Sequence, residues 1–136
     1  MPISRTIVGV LRGGTSSEYE LSLRTGANFI AGLPEDSFEV RDILIDKLGV
    51  WHTRGIPMDP MRALSQVDVV LNGLHGGIGE DGTVGRLLNR AGIGYAGSRP
   101  LQSSISLNKI RTREALRTSG IKMPRAVSFS IKDFLM

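Results

Sequence analysis

The stretch at residues 71–85, Leu-Asn-Gly-Leu-His-Gly-Gly-Ile-Gly-Glu-Asp-Gly-Thr-Val-Gly, constrains the fold more than any other part of this 136-residue chain. An apolar run at 67–71 enters it, and Val84, Leu87, Leu88 and Ala91 leave it at helical spacing. Between them stand Gly73, Gly76, Gly77, Gly79 and Gly82, one histidine (His75) and the adjacent acids Glu80 and Asp81. A buried strand, a glycine loop and a helix, in that order, form the junction at which open α/β sheets place their ligands. So many glycines cost chain entropy and are of use where backbone must approach a ligand or turn sharply. Asp81 or Thr83 can cap the helix that follows, whose N-terminus favours an anion.

The rest of the chain repeats this alternation. Residues 6–11, Thr-Ile-Val-Gly-Val-Leu, read as a buried first strand ending at Gly13-Gly14. Thr15 with Glu18, or Ser17 with Glu20, fits a capping box that opens a helix. Leu23, Ala27, Ile30 and Leu33 recur at helical spacing until Pro34 stops the run. The turn is not a G-x-G-x-x-G dinucleotide fingerprint. Residues 38–45 read as a second strand, 46–49 as a turn and 50–53 as a short strand returning from it. Pro57 to Pro60 marks a loop or one helical turn, 67–71 a third strand, 84–90 a helix ended by Gly92, and 93–97 a short strand. Residues 103–119 read as helical, in one piece or two, with Gly120 as terminator, and 126–129 as a last strand. Strands alternating with helices predict an α/β fold, a Rossmann-like parallel sheet with helices on both faces. The last strand has nothing after it to pack on, so the reading is a domain at 1–100 and the truncated opening of a second at 101–136.

Charge and composition narrow the function. The net charge of +4 is uneven: residues 98–136 carry eight Lys/Arg and two Asp/Glu, whereas residues 1–97 carry nine and eleven. A basic tail fits a polyanion such as a nucleoside triphosphate, and equally a solvated helix face; nucleic acid is not taken as a partner. Without cysteine the chain has neither disulfides nor thiolate ligands. With His52 and His75 as the remaining nitrogen ligands, no metal site is assigned. No apolar run approaches the roughly 20 residues that span a bilayer, and residues 1–5 run into a strand pattern without a signal peptide. The expectation is a cytoplasmic protein with no membrane partner.

Four segments in register carry a family likeness. Gly13-Gly14-Thr15-Ser16-Ser17-Glu18-Tyr19-Glu20-Leu21-Ser22-Leu23 resembles the first signature of the D-alanine–D-alanine ligases, and Leu74-His75-Gly76-Gly77-Ile78-Gly79-Glu80-Asp81-Gly82 resembles their second. Tyr95-Ala96-Gly97-Ser98 and Ser103-Ser104-Ile105-Ser106-Leu107-Asn108-Lys109 follow in the family's order and spacing. Departures include Gly85-Arg86 for a common Gln-Gly, Asn89 for Glu, Gly94 for Pro, and Leu107-Asn108-Lys109 for Met-Asp-Lys.

The resemblance implies the N-terminal, pre-ATP-grasp domain of an ATP-grasp ligase plus the start of its central domain. The family joins two D-alanines for peptidoglycan. ATP phosphorylates the first carboxylate, the second amine attacks the acyl phosphate, and magnesium bridges the phosphates. The resemblance makes Glu18 a catalytic and substrate-binding residue that orders the first D-alanine through its ammonium. It sets His75 near that D-alanine's carboxylate and Lys109 on an ATP phosphate. Glu80 and Asp81 are read as loop-shaping and capping residues, His52 as surface, and Trp51 as packing a small satellite cluster. ATP and Mg2+ serve the complete enzyme, which the resemblance makes a homodimer; neither is expected to bind this chain tightly, and the chain alone is expected to be inactive. Two other readings stand beside this one: a free-standing ligand-binding or oligomerising module of the same fold, and a ligase of changed specificity such as D-alanine–D-lactate.

Overall fold

A computed structural model describes residues 5–130; the start of the chain at 1–4, read above as leaderless, lies outside them. The elements in order are β1 (Thr6–Gly13), α1 (Tyr19–Gly32), β2 (Phe38–Ile45), β3 (Trp51–Thr53), β4 (Ile56–Pro57), α2 (Pro60–Leu64), β5 (Val69–Asn72), a 3-10 turn (Gly77–Gly79), α3 (Thr83–Ala91), β6 (Gly94–Ala96), α4 (Pro100–Leu107) and α5 (Lys109–Leu116). Six strands form one sheet in the order β4-β3-β2-β1-β5-β6.

The expected α/β fold is found: a parallel core of strands, with the short strand expected to return from the 46–49 turn adding an antiparallel edge. Strands β2, β1, β5 and β6 run parallel, but β3 and β4 are antiparallel additions at the β2 edge. The reason is connection length: the 46–50 link between β2 and β3 is too short for the dozen-residue crossover that parallel pairing needs. Asp46 organises that link. Its Oδ1 accepts the Leu48 and Val50 N–H groups at 2.9 Å, and its Oδ2 lies 2.9 Å from His52 Nε2. These bonds, the His52 contact first, hold the Asp46 carboxyl below the usual carboxylate range.

Both faces of the sheet are covered. Leu11, Ile43, Ile45 and Val70 face α2 and α3, where Ala63, Leu64, Val84 and Leu88 complete one cluster. On β1 the side chains alternate, so Val8, Val10 and Arg12 face α1. Trp51, 5% exposed, belongs to the main cluster and not to a satellite.

Helix α1 departs from its apolar pattern. Its buried residues are Ser22 and Gly26, whereas Ala27 is exposed. Small residues let the helix sit close on β1, so the contact stripe is marked by size as much as by hydropathy. The capping box is not formed either. Glu18 occupies the N-cap position without a side-chain cap bond, and the Ser16 hydroxyl accepts the Glu18 N–H at 3.1 Å instead.

After β6 the sheet ends. Helices α4 and α5 are separated at Asn108, whose Oδ1 accepts the Arg111 N–H at 3.1 Å, and neither contains a buried residue. Residues 126–129, expected as a strand, carry no regular structure.

Candidate functional site

Strand β1 leads through α1 to β2 on one side of it, while β5 lies on its other side. The carboxyl ends of β1 and β5 are therefore the switch point of the sheet, where open α/β folds hold ligands. The two loops that leave these ends carry Glu18 and His75.

Hydroxyl groups stitch the two loops together. Buried Ser22 Oγ accepts the Gly13 N–H at 2.8 Å and donates to the Gly73 carbonyl at 2.8 Å. Ser16 Oγ donates to the His75 carbonyl at 2.5 Å. Thr25 Oγ1 lies 2.8 Å from His75 Nε2. Asn72 closes the second loop on itself: its Nδ2 donates to the Gly79 carbonyl at 3.2 Å and its Oδ1 accepts the Leu74 N–H at 3.2 Å. Gly76 leaves no room for a side chain between the loops. Its φ is +63°, and a Cβ there would stand 2.9 Å from Glu18 Oε2, so a side chain would be strained and would push on the carboxylate.

The 3-10 turn folds the loop back and returns Glu80 to the site. His75 Nδ1 lies 3.9 Å from Glu80 Oε1. One donor atom each of Glu18, His75 and Glu80 falls within 4.8 Å of the others. Glu18 and Glu80 are exposed and His75 is half-buried. Two carboxylates beside one imidazole make a pocket of negative charge that suits a small ligand with a cationic end. Magnesium takes oxygen ligands in a near-octahedral set, and a site with an imidazole among three side-chain donors does not fit it. Asp81 stays outside the group: its Oδ1 accepts the Thr83 N–H at 2.7 Å and caps α3.

A cleft of 380 Å³ adjoins the group on the β6 side, lined by Asn72, Glu80, Gly82, Tyr95, Ser103 and Ser106 among others. Lys109 begins α5, is exposed, and is not among the cleft residues.

Of the sequence-predicted residues, the fold brings Glu18 and His75 together and leaves Lys109 out of the cleft lining. Sequence reasoning missed Glu80 as a member of the group, because adjacent extended residues point to opposite faces and the 3-10 turn was not foreseen. It also missed Ser16 and Thr25. A signal for Thr25 was present, since Glu18, Ser22 and Thr25 fall at i, i+4 and i+7, one face of a helix.

The D-alanine–D-alanine ligase of Deinococcus radiodurans is 36% identical over 131 residues, covering 82% of this chain and 38% of that protein. The D-alanine–D-alanine ligase of Bacillus anthracis is 37% identical over 117 residues, covering 86% of this chain and 36% of that protein. The chain belongs to the D-alanine–D-alanine ligase family. No family model matches it. Among solved structures, the Bacillus anthracis D-alanine–D-alanine ligase complexed with ATP superposes with a TM-score of 0.73 at 33% identity, covering 90% of this chain and 38% of that one. The VanG D-Ala:D-Ser ligase of Enterococcus faecalis superposes with a TM-score of 0.79 at 24% identity, covering 97% of this chain and 47% of that one, and shows the shared fold. The chain thus spans about two fifths of the length of the curated ligases it matches. Among the described residues no helix is long and apolar enough to cross a membrane.

Proposed function

We propose that the protein to which this chain belongs joins D-alanine to D-alanine at the expense of ATP, and that residues 1–100 supply the site for the first D-alanine. One observation carries the reading: Glu18 and His75 come from separate sequence motifs and meet, with Glu80, at the switch point of the sheet, donor atoms within 4.8 Å. An amino acid has an ammonium and a carboxylate. The Glu18 and Glu80 carboxylates suit the ammonium, and an imidazole N–H suits the carboxylate. Glu18 is then the catalytic residue of this chain in the sense that it touches substrate and holds it in orientation for attack.

When bound, ATP supplies the phosphoryl group that activates the first carboxylate, and Mg2+ balances the phosphate charge. Lys109 is the residue of this chain proposed to contact a phosphate, as a compact cation at the start of α5. The group of Glu18, His75 and Glu80 does not suit Mg2+, so the cation's ligands are assigned to the remainder of the longer protein. Residues 101–136 are read as the opening of the central ATP-grasp domain. That reading is supported by the sheet ending at β6 and by the absence of buried residues from α4 and α5. A homodimer, a cytoplasmic place and a role in peptidoglycan synthesis belong to the same proposal and rest on the family resemblance.

The test is product formation. The full-length protein incubated with ATP, magnesium and D-alanine is expected to form D-alanyl-D-alanine, detected by mass spectrometry together with one phosphate released per dipeptide. Phosphate release without dipeptide, or neither, overturns the reading.

A further inference from the structure

We infer that Thr25 is a positioning residue that holds neutral His75 in the form protonated at Nδ1, so that the ring donates a hydrogen bond into the Glu18–Glu80 space.

The argument is one of donors and acceptors. A neutral imidazole has one N–H and one bare nitrogen, and the partner of one nitrogen decides which is which. Thr25 Oγ1 lies 2.8 Å from His75 Nε2. A helical threonine often turns its hydroxyl back to a carbonyl one turn earlier, but among the described residues the Thr25 side chain bonds to His75 and to no backbone carbonyl. Were Nε2 to carry the proton, the Thr25 oxygen would accept it and the hydroxyl hydrogen would have no acceptor among the described residues, while bare Nδ1 would have a carboxylate 3.9 Å away, one acceptor beside another. With Thr25 donating to Nε2, both conflicts vanish. The Nδ1–H then has Glu80 Oε1 3.9 Å away, beyond direct hydrogen-bond reach, and can serve a ligand carboxylate. The rest of the setting holds the ring in place: Ser16 fixes the His75 carbonyl at 2.5 Å, and α1, which carries Thr25, is tied by Ser22 to Gly73 of the loop that bears His75.

The functional meaning of this tautomer rests on the ligase reading above; the tautomer itself does not. Two-bond 15N–1H spectra of the labelled 136-residue chain, recorded where imidazoles are neutral, report each ring nitrogen separately, and His52 serves as an internal control. The expected result for His75 is an unprotonated Nε2 and a protonated Nδ1. Thr25→Val removes the hydroxyl at similar shape and is expected to convert His75 to the Nε2-protonated form common in solvated histidine, with His52 unchanged. Thr25→Ser is expected to retain the original pattern. Wild-type His75 protonated at Nε2 overturns the inference without any variant, and so does a folded Thr25→Val chain with an unaltered His75 pattern. Titration of D-alanine into the same sample addresses the substrate reading separately: failure of D-alanine to shift the His75 signals at saturation counts against that reading and leaves the tautomer result standing.

Discussion

Gly26 of α1 lies against Arg12 of β1: a Cβ on Gly26 would stand 2.6 Å from the Arg12 Cβ and 2.7 Å from its Cδ. The root of the arginine cannot swing aside, since its head is held by Asp42, with Nε 2.7 Å from Oδ1 and Nη2 2.5 Å from Oδ2. The Asp42 bond also raises the Arg12 pKa, so the guanidinium stays charged. This close approach sets the height of α1 above the sheet, and with it the position of Glu18 and Thr25. Gly26→Ala is therefore expected to destabilise the chain by about 1–3 kcal/mol, the range for an overpacked contact. Urea unfolding of the two chains side by side measures it, and an unchanged midpoint would contradict the contact.

Ser22→Ala should cost stability through polar groups and not through packing. Ser22 is 0% exposed and joins the Gly13 N–H to the Gly73 carbonyl. Its loss leaves both buried groups unpaired, at about 1–3 kcal/mol each at most. Hydrogen exchange adds a local reading: the Gly13 amide is expected to lose protection more than the amides of α3.

Acid should weaken the β2–β3 turn in a defined window. The Asp46 carboxyl is held below its usual range by His52 and by backbone N–H groups. A depressed carboxyl contributes stability that is present above its unfolded pKa, near pH 4, and lost as pH falls through the lower folded value. The gap in melting temperature between the wild type and Asp46→Asn is thus expected to close as pH falls below about 4. A gap that persists once the carboxyl is protonated would refute the assignment.

Glu18→Gln in the full-length protein separates a substrate role from a helix-end role. The amide keeps the shape of the carboxylate and loses its charge. Affinity for the first D-alanine is expected to fall by about 1.5–3 kcal/mol, the range for a hydrogen bond to a charged group, with the second D-alanine much less affected. Stability is expected to move by under about 1 kcal/mol, because Glu18 makes no side-chain cap bond. Steady-state kinetics that resolve the two D-alanine sites, with a thermal melt beside them, read both quantities.

Much of the architecture was legible in the chain as written. The bounds of β2 agree with the expected 38–45, and α3 with its Gly92 stop follows from apolar spacing and one glycine. The β3–β4 hairpin was half visible: its two-residue turn is Arg54-Gly55, with Arg54 at φ +54°, and lacks the Asn or Asp that announces such turns. The α1 stripe was misplaced because its contacts are made by Ser22 and Gly26, which a hydropathy period passes over.

Local sequence determined most of the strands and helices and the two loops that bear Glu18 and His75, because periodicity, caps and glycine turns act over a few residues. It could not determine which loops meet. That depended on β5 pairing with β1 on the side away from β2, a long-range choice made by burial on both faces of the sheet. The tertiary structure alone brought Glu80 back to His75 through the 3-10 turn, set Thr25 on the far ring nitrogen, and left Lys109 of α5 out of the cleft lining. Hydrogen bonds between residues some fifty positions apart, such as Thr25 with His75, leave no periodic trace in the chain, since they are imposed by the packing of α1 and β5 on one shared strand.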